Sequence, residues 1–179
     1  RAPPTPPPPP QASDATGALI ENPPNIEPSD HVYMDGSCYN NGCPRTARAG
    51  VGVAVTDDEG NLKMAINSPL PRDYTRDNIT AEHAAIVLYS QSASQQANIE
   101  GLHCHTDCKG VHLASQELQK ALSTKSATAT FWRDALVRGH VPTTTKVKAH
   151  RKESSATSQL DLRHIRGNNR ADDAAKAGA

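Results

Sequence analysis

The chain has 179 residues, equal numbers of acidic and basic side chains, and 14 prolines. That length holds one ordinary domain plus a tail, and a net charge of zero argues against indiscriminate coating of nucleic acid. No apolar run approaches the roughly 18 residues of a membrane span, so no membrane partner is expected.

Ten of the 14 prolines precede residue 30, including the run Pro6 to Pro10, and no apolar period accompanies them. Residues 1–30 therefore read as an extended, disordered proline-rich linker, and residues 31–179 as the folded domain. The chain opens on Arg1 rather than Met, which gives the expectation of a piece cut from something longer. Four cysteines, Cys38, Cys43, Cys104 and Cys108, need no disulfide framework in a domain of this size. No secretory signal is present, so an intracellular compartment, cytoplasm or nucleus, is expected.

The first predicted strand is His31 to Ser37, HVYMDGS, in which Val32 and Met34 alternate with Tyr33 and Asp35. A carboxylate among apolar strand residues is costly unless something positive faces it. A polar loop, CYNNGCPRTARAG, leads to a buried strand at Ala49 to Val55. The turn Asp57 to Asn61 returns it as a hairpin partner, Leu62 to Ile66. Beyond Pro69 and Pro71, Ala81, Ala85, Leu88 and Tyr89 mark one face of a helix, with Asn78 or Thr80 near its cap.

Leu102 to Thr106 is a short strand ending on Asp107, and Val111 to Leu122 a helix with Val111, Ala114, Leu118 and Ala121 on its apolar stripe. Phe131 to Val137 is a further helical segment, closed by Gly139 and Pro142. Phe131 and Trp132 read as core rather than as a base-stacking platform. Thr144 to Ala149 alternates as the last strand, a loop of about twenty residues follows, and Asn168 to Ala179 closes the chain as a helix. Residues 141–179 hold eight Lys or Arg against four acids, a local basic excess compatible with phosphate contact. The fold class is thus α/β: a mixed five-stranded central sheet, antiparallel meander first and parallel strands after it, with helices on both faces.

Five short patterns stand in order on these elements. They are Asp35-Gly36-Ser37 on the first strand, Asn78-x-x-Ala81-Glu82 opening the first helix, and Thr106-Asp107 ending the fourth strand. Lys148-Ala149-His150 after the fifth strand and Gly167-Asn168-x-x-Ala171-Asp172 opening the last helix complete the set. Singly each is ordinary: Glu82 and Asp172 read as first-turn acids, and Asp107 as a helix cap. Together, over the whole stretch from His31 to the C-terminus, the set resembles type 1 ribonuclease H, particularly the version carried as a domain by retroelement (reverse transcriptase) polyproteins.

That resemblance implies hydrolysis of the RNA strand of an RNA–DNA hybrid, leaving 5′-phosphate and 3′-hydroxyl ends. It implies two Mg²⁺ ions, with Mn²⁺ as the alternative, because phosphodiester cleavage needs a neutralised phosphate and an activated water, and hard carboxylate oxygens suit those ions. Asp35, Glu82, Asp107 and Asp172 would hold the metal, and His150 would move protons or help product leave. His164, in the same predicted loop, is the rival for that role, and Asp173 the rival of Asp172. Ser37, Cys38, Asn41, Asn78 and Lys109 match substrate-contacting positions, Asn41 and Asn78 toward the RNA strand. A monomer, linked to an upstream reverse transcriptase domain, is the expected setting. The segment STKSATAT is short and neutral where bacterial enzymes of the family carry a basic helical handle, so a neighbouring domain would supply grip.

Two other readings compete. One is a weak or inactive module of the same fold that binds nucleic acid or serves structure. Another is a transposase or integrase, whose acids run Asp, Asp, Glu, whereas here Glu comes second. A zinc site at His103, Cys104, His105 and Cys108 lacks the paired spacing, and a buried thiol reads better there.

Overall fold

Strand alternation divides the protein into two layers around one sheet. This computed structural model describes residues 8–71, 73–94 and 102–179. Its strands are Gln11–Ser13 (β1), His31–Tyr39 (β2), Arg48–Thr56 (β3), Leu62–Pro69 (β4), His103–Thr106 (β5) and Thr144–Lys146 (β6). They hydrogen-bond in the order β1-β4-β3-β2-β5-β6. The meander β2-β3-β4 is antiparallel, and β5 and β6 add to it in parallel. The helices are Asn78–Ser94 (α1), Lys109–Gln116 (α2), Leu118–Ala121 (α3), Ala129–Val137 (α4) and Gln159–Gly178 (α5).

Side chains two apart share a face. Val32 and Met34 of β2, with Val53 and Val55 of β3, are buried in one core with Ala81, Ala85 and Ile86 of α1 and Trp132 of α4. Tyr33 and Ala54 point the other way and pack on Ala171 of α5. The architecture is the α/β arrangement the sequence implies, with six strands in place of five. Trp132 is fully buried and donates its indole N–H to His83 Nδ1 at 3.0 Å, which makes it core.

The sixth strand corrects the domain boundary. Proline offers no N–H to a ladder, but Gln11, Ala12 and Ser13 do, and they pair with Asn67, Ile66 and Ala65 on the edge of β4. Ile26 is buried in the main core, and Asp30, 1 % exposed, pairs with Lys63 at 2.7 Å. Residues 11–30 therefore belong to the domain rather than to a linker; residues 1–7 lie outside the described residues.

Two helices also depart from expectation. The single predicted helix over Val111 to Leu122 breaks at Glu117 (φ −123°, ψ 60°) into α2 and α3. Just before the break, Ser115 returns its hydroxyl to the His112 carbonyl and meets Thr144 Oγ1 at 2.9 Å, a local bond that competes with the helix. The last helix begins well before Gly167, where Ser158 accepts from the Asp161 N–H. Gly167 is no breaker: a Cβ there would fall inside the Tyr33 ring, so glycine is what lets α5 lie on β2. The preceding loop is correspondingly shorter than expected, and His164 is helical. Gly167→Ala should cost about 1–3 kcal/mol by overpacking, although alanine is the better helix former; urea denaturation checks this.

Candidate active site

Register alone sets two carboxylates side by side. β2 and β5 run parallel from His31↔His103 to Met34↔Thr106, so the next residue on each, Asp35 and Asp107, leaves the pair at the same level. A third arrives from α1. A Cβ on Gly36 would overlap the backbone of Ala81 and Glu82; its absence lets the first turns of α1 rest on β2 and brings Glu82 beside Asp35. The cap that starts this helix is Asp77, whose Oδ1 accepts from the Thr80 N–H at 2.7 Å, rather than Asn78 or Thr80.

Carboxylate oxygens of Asp35, Glu82 and Asp107 lie within 4.8 Å of one another, the only such group of potential metal ligands among the described residues. Asp35 is 3 % exposed and accepts from the Gly36 N–H at 2.8 Å. Burial, then the charges of Asp107 and Asp172, hold its carboxyl well above the usual carboxylate range. Burial and then Asp35 raise Glu82 further, and the two side chains share a hydrogen bond. Glu82 Oε2 is buried with no partner. A buried, unsatisfied carboxylate oxygen is costly, and a hard divalent cation is the partner that three clustered oxygen donors fit.

Asp172, on α5, stands next to this group without joining it. It is close enough to raise Asp35, but its Oδ2 accepts from Lys176 Nζ at 2.6 Å, one helical turn on. The same oxygen is 4.0 Å from His150 Nδ1. His150 is exposed, in a left-handed backbone conformation (φ 48°). His164 is elsewhere, bonded through Nδ1 to the Tyr33 hydroxyl at 3.0 Å. Asp173 faces solvent.

Sequence reasoning named Asn168 only as part of a pattern. In the structure its Nδ2 donates to Asp107 Oδ2 at 2.9 Å, while it is 1 % exposed. The signal was its spacing: four residues before Asp172, on the same helical face. The five expected substrate contacts are all at least partly exposed. Ser37 and Cys38 are half-buried on β2, the Cys38 thiol donating to the Arg76 carbonyl at 3.3 Å. Asn41 is exposed beside Tyr74, Arg76 and Asp77, and Asn78 and Lys109 are exposed as the first residues of α1 and α2. All four cysteines are free, Cys104 buried as a core thiol.

The fold is that of type 1 ribonuclease H. The crystal structure of RNase H1 from Halobacterium salinarum superposes with a TM-score of 0.56 at 18 % identity, covering 83 % of this chain and 96 % of that one. LC11-RNase H1, solved in complex with an RNA/DNA hybrid, gives 0.55 at 16 % identity, over 83 % and 97 %. The protease-reverse transcriptase of prototype foamy virus gives 0.59 at 17 % identity, over 93 % of this chain and 22 % of the viral one. No family model and no curated protein matches the sequence.

The raised carboxyls make stability depend on pH with a definite sign. Groups whose folded pKa exceeds the unfolded value near 4 leave the folded state holding more protons, so metal-free stability falls as pH rises past about 4 through the raised values. A cation that binds the deprotonated cluster reverses this, adding about 2.7 kcal/mol at a hundred times its Kd. Thermal melts should therefore show a Mg²⁺- or Mn²⁺-dependent rise in Tm that grows with pH. Asp35→Asn should flatten both the pH slope and the metal response.

Proposed function

We propose that this domain is a metal-dependent endonuclease that hydrolyses the RNA strand of RNA–DNA hybrids to 5′-phosphate and 3′-hydroxyl ends. One observation carries the reading. Three acids from β2, α1 and the end of β5 converge on a hollow in which one of their oxygens is buried without a partner. The likeness in fold to hybrid-bound RNase H structures supports the choice of substrate.

Asp35, Glu82 and Asp107 would hold Mg²⁺, two ions in all, or Mn²⁺ in its place. Such ions, when bound, neutralise the scissile phosphate and lower the pKa of water. Asn168 fixes the orientation of Asp107 by its 2.9 Å bond. Asp172 would complete the set once Lys176 turns aside, and His150, exposed with Nδ1 4.0 Å from the Asp172 carboxylate, would move protons or help product leave. Ser37 and Cys38 on β2, Asn41 in the loop after it, and Asn78 and Lys109 at the starts of α1 and α2 would make the substrate contacts. Asn41 and Asn78 would contact the strand that bears 2′-hydroxyls. An upstream reverse transcriptase domain would add grip that the short segment before α4 does not provide.

The Lys176–Asp172 pair favours a second reading, a module of this fold that binds hybrid and cuts it poorly. Labelled RNA–DNA hybrid, duplex DNA and duplex RNA, each with Mg²⁺ or chelator, separate the two. Cleavage of hybrid alone, dependent on metal and abolished by Asp35→Asn, is the expected outcome; binding without cleavage would leave the second reading standing. Asn168→Ala should weaken metal affinity or activity by about 10–100-fold, as removing a bond to a ligating carboxylate commonly does. Titration of Mn²⁺ against rate measures it.

A further inference from the structure

The four acids of the candidate site differ in what meets them. Asp35 accepts from the Gly36 N–H, Asp107 from the Asn168 amide, and Glu82 Oε2 from nothing. Asp172 alone is bonded to a cation, its Oδ2 accepting from the Lys176 ammonium at 2.6 Å.

Backbone packing sets that pair in place. Gly52 is the register partner of Asp35, and a Cβ on it would overlap the backbone of Ala171 and Ala175. The turn of α5 from Ala171 to Ala175 is thereby laid beside Asp35, with Asp172 in it and Lys176 directly after. Four residues of spacing bring the ammonium onto the Asp172 carboxylate. Asp173, three residues before Lys176, offers a solvent-facing carboxylate, yet the bond goes to Asp172, which is 16 % exposed.

An ion pair of this spacing on an open helix face is worth little. Here the carboxylate is mostly buried beside three other acids, so the ammonium also relieves their mutual repulsion. It does so at a cost to any further cation, because an ammonium and a divalent ion on one carboxylate repel each other. Lys176 is free to leave: its side chain is 45 % exposed, in the last turn of α5, where water and the helix dipole both favour a positive charge.

We propose that Lys176 is a positioning residue that holds Asp172 against a second divalent cation. Asp35, Glu82 and Asp107 then take one ion tightly, and Asp172 opens to another only when the ammonium leaves. The inference rests on the metal-site reading above and adds to it that the two ion affinities are unequal, the weaker one set by a residue that touches neither ion.

Mn²⁺ binding to the full chain, counted from the electron paramagnetic resonance of the free ion, tests this. Lys176→Gln should tighten the second ion about five- to tenfold, the weight of a hydrogen-bonded, half-exposed ion pair, and move the first far less. A second ion seen only in Lys176→Gln is the same result at its limit. Lys176→Arg should keep the unmodified value. In Mg²⁺ titrations followed by NMR, the Lys176 side-chain signals should move with the second ion and not with the first. Arg170→Gln removes another exposed cation of α5 and should leave both affinities in place. A second-ion affinity unchanged in Lys176→Gln, Lys176 signals that stay still as that ion fills, or an equal gain in Arg170→Gln would each overturn the proposal and leave the acid cluster standing. An unmodified chain that binds no Mn²⁺, or an Asp35→Asn variant that binds it equally well, would instead overturn the metal-site reading, and this proposal with it.

Discussion

Two helices lie directly on bare backbone in this sheet. α1 crosses β2 at Gly36, and α5 crosses β3 at Gly50 and Gly52, where added Cβ atoms would overlap the backbone of Ala171, Ala175 and Ala179. Gly52 is the register partner of Asp35. The same few positions that allow close packing therefore decide how near Glu82 and Asp172 come to Asp35. Had any of these three glycines carried a side chain, its helix would stand off and Glu82 or Asp172 would draw away from Asp35, which strand register keeps beside Asp107.

Close approach has an electrostatic cost. Carboxylates a few ångströms apart repel, and burial penalises each charge again. The protein answers differently at each member. Asp35 takes a backbone N–H, Asp107 takes Asn168, and Asp172 takes Lys176. Glu82 shares a hydrogen bond with Asp35 and keeps one oxygen with nothing. Structural ion pairs do not leave such a remainder. A divalent cation is the partner that such an oxygen fits, and the unevenness weighs against a purely stabilising role for the cluster.

Much of this was legible from the chain. Asp107 follows the end of β5 and Glu82 sits in the early turns of α1, and the order of short patterns along the sequence was enough to group them with Asp35 on β2. What could not be read is what depends on contacts between distant residues. Gly167 looks like a terminator until Tyr33 is placed against it, and that misplaced the start of α5 and put His164 in a loop. Ser115 gives no sign of a break until Thr144 arrives across from it. Gln11–Ser13 is too short to register as a strand and follows five prolines, yet an open β4 edge makes it one. Lys176 was unremarkable until α5 set it one turn from Asp172.

The far end of α5 shows why Asn168 and Asp172 stay where they are. At the start of β2 and β5, His31 Nδ1 and His105 Nε2 are 2.9 Å apart, and His105 stacks on Tyr33 at 4.7 Å between ring centres. His164 closes on the pair from α5, 4.6 Å from His105 and bonded to the Tyr33 hydroxyl. Burial lowers the pKa of all three histidines, so they pack as neutral rings, which donate and accept without adding charge. Gly167 follows three residues later on the Tyr33 ring, and Ala171 four after that. α5 is thus anchored on both sides of Asn168: by rings before it and by backbone contact after it. A helix held at only one end could swing its acid away from the hollow; held at both, it leaves Asp172 only the freedom of its own side chain, on which its ion pair with Lys176 then turns.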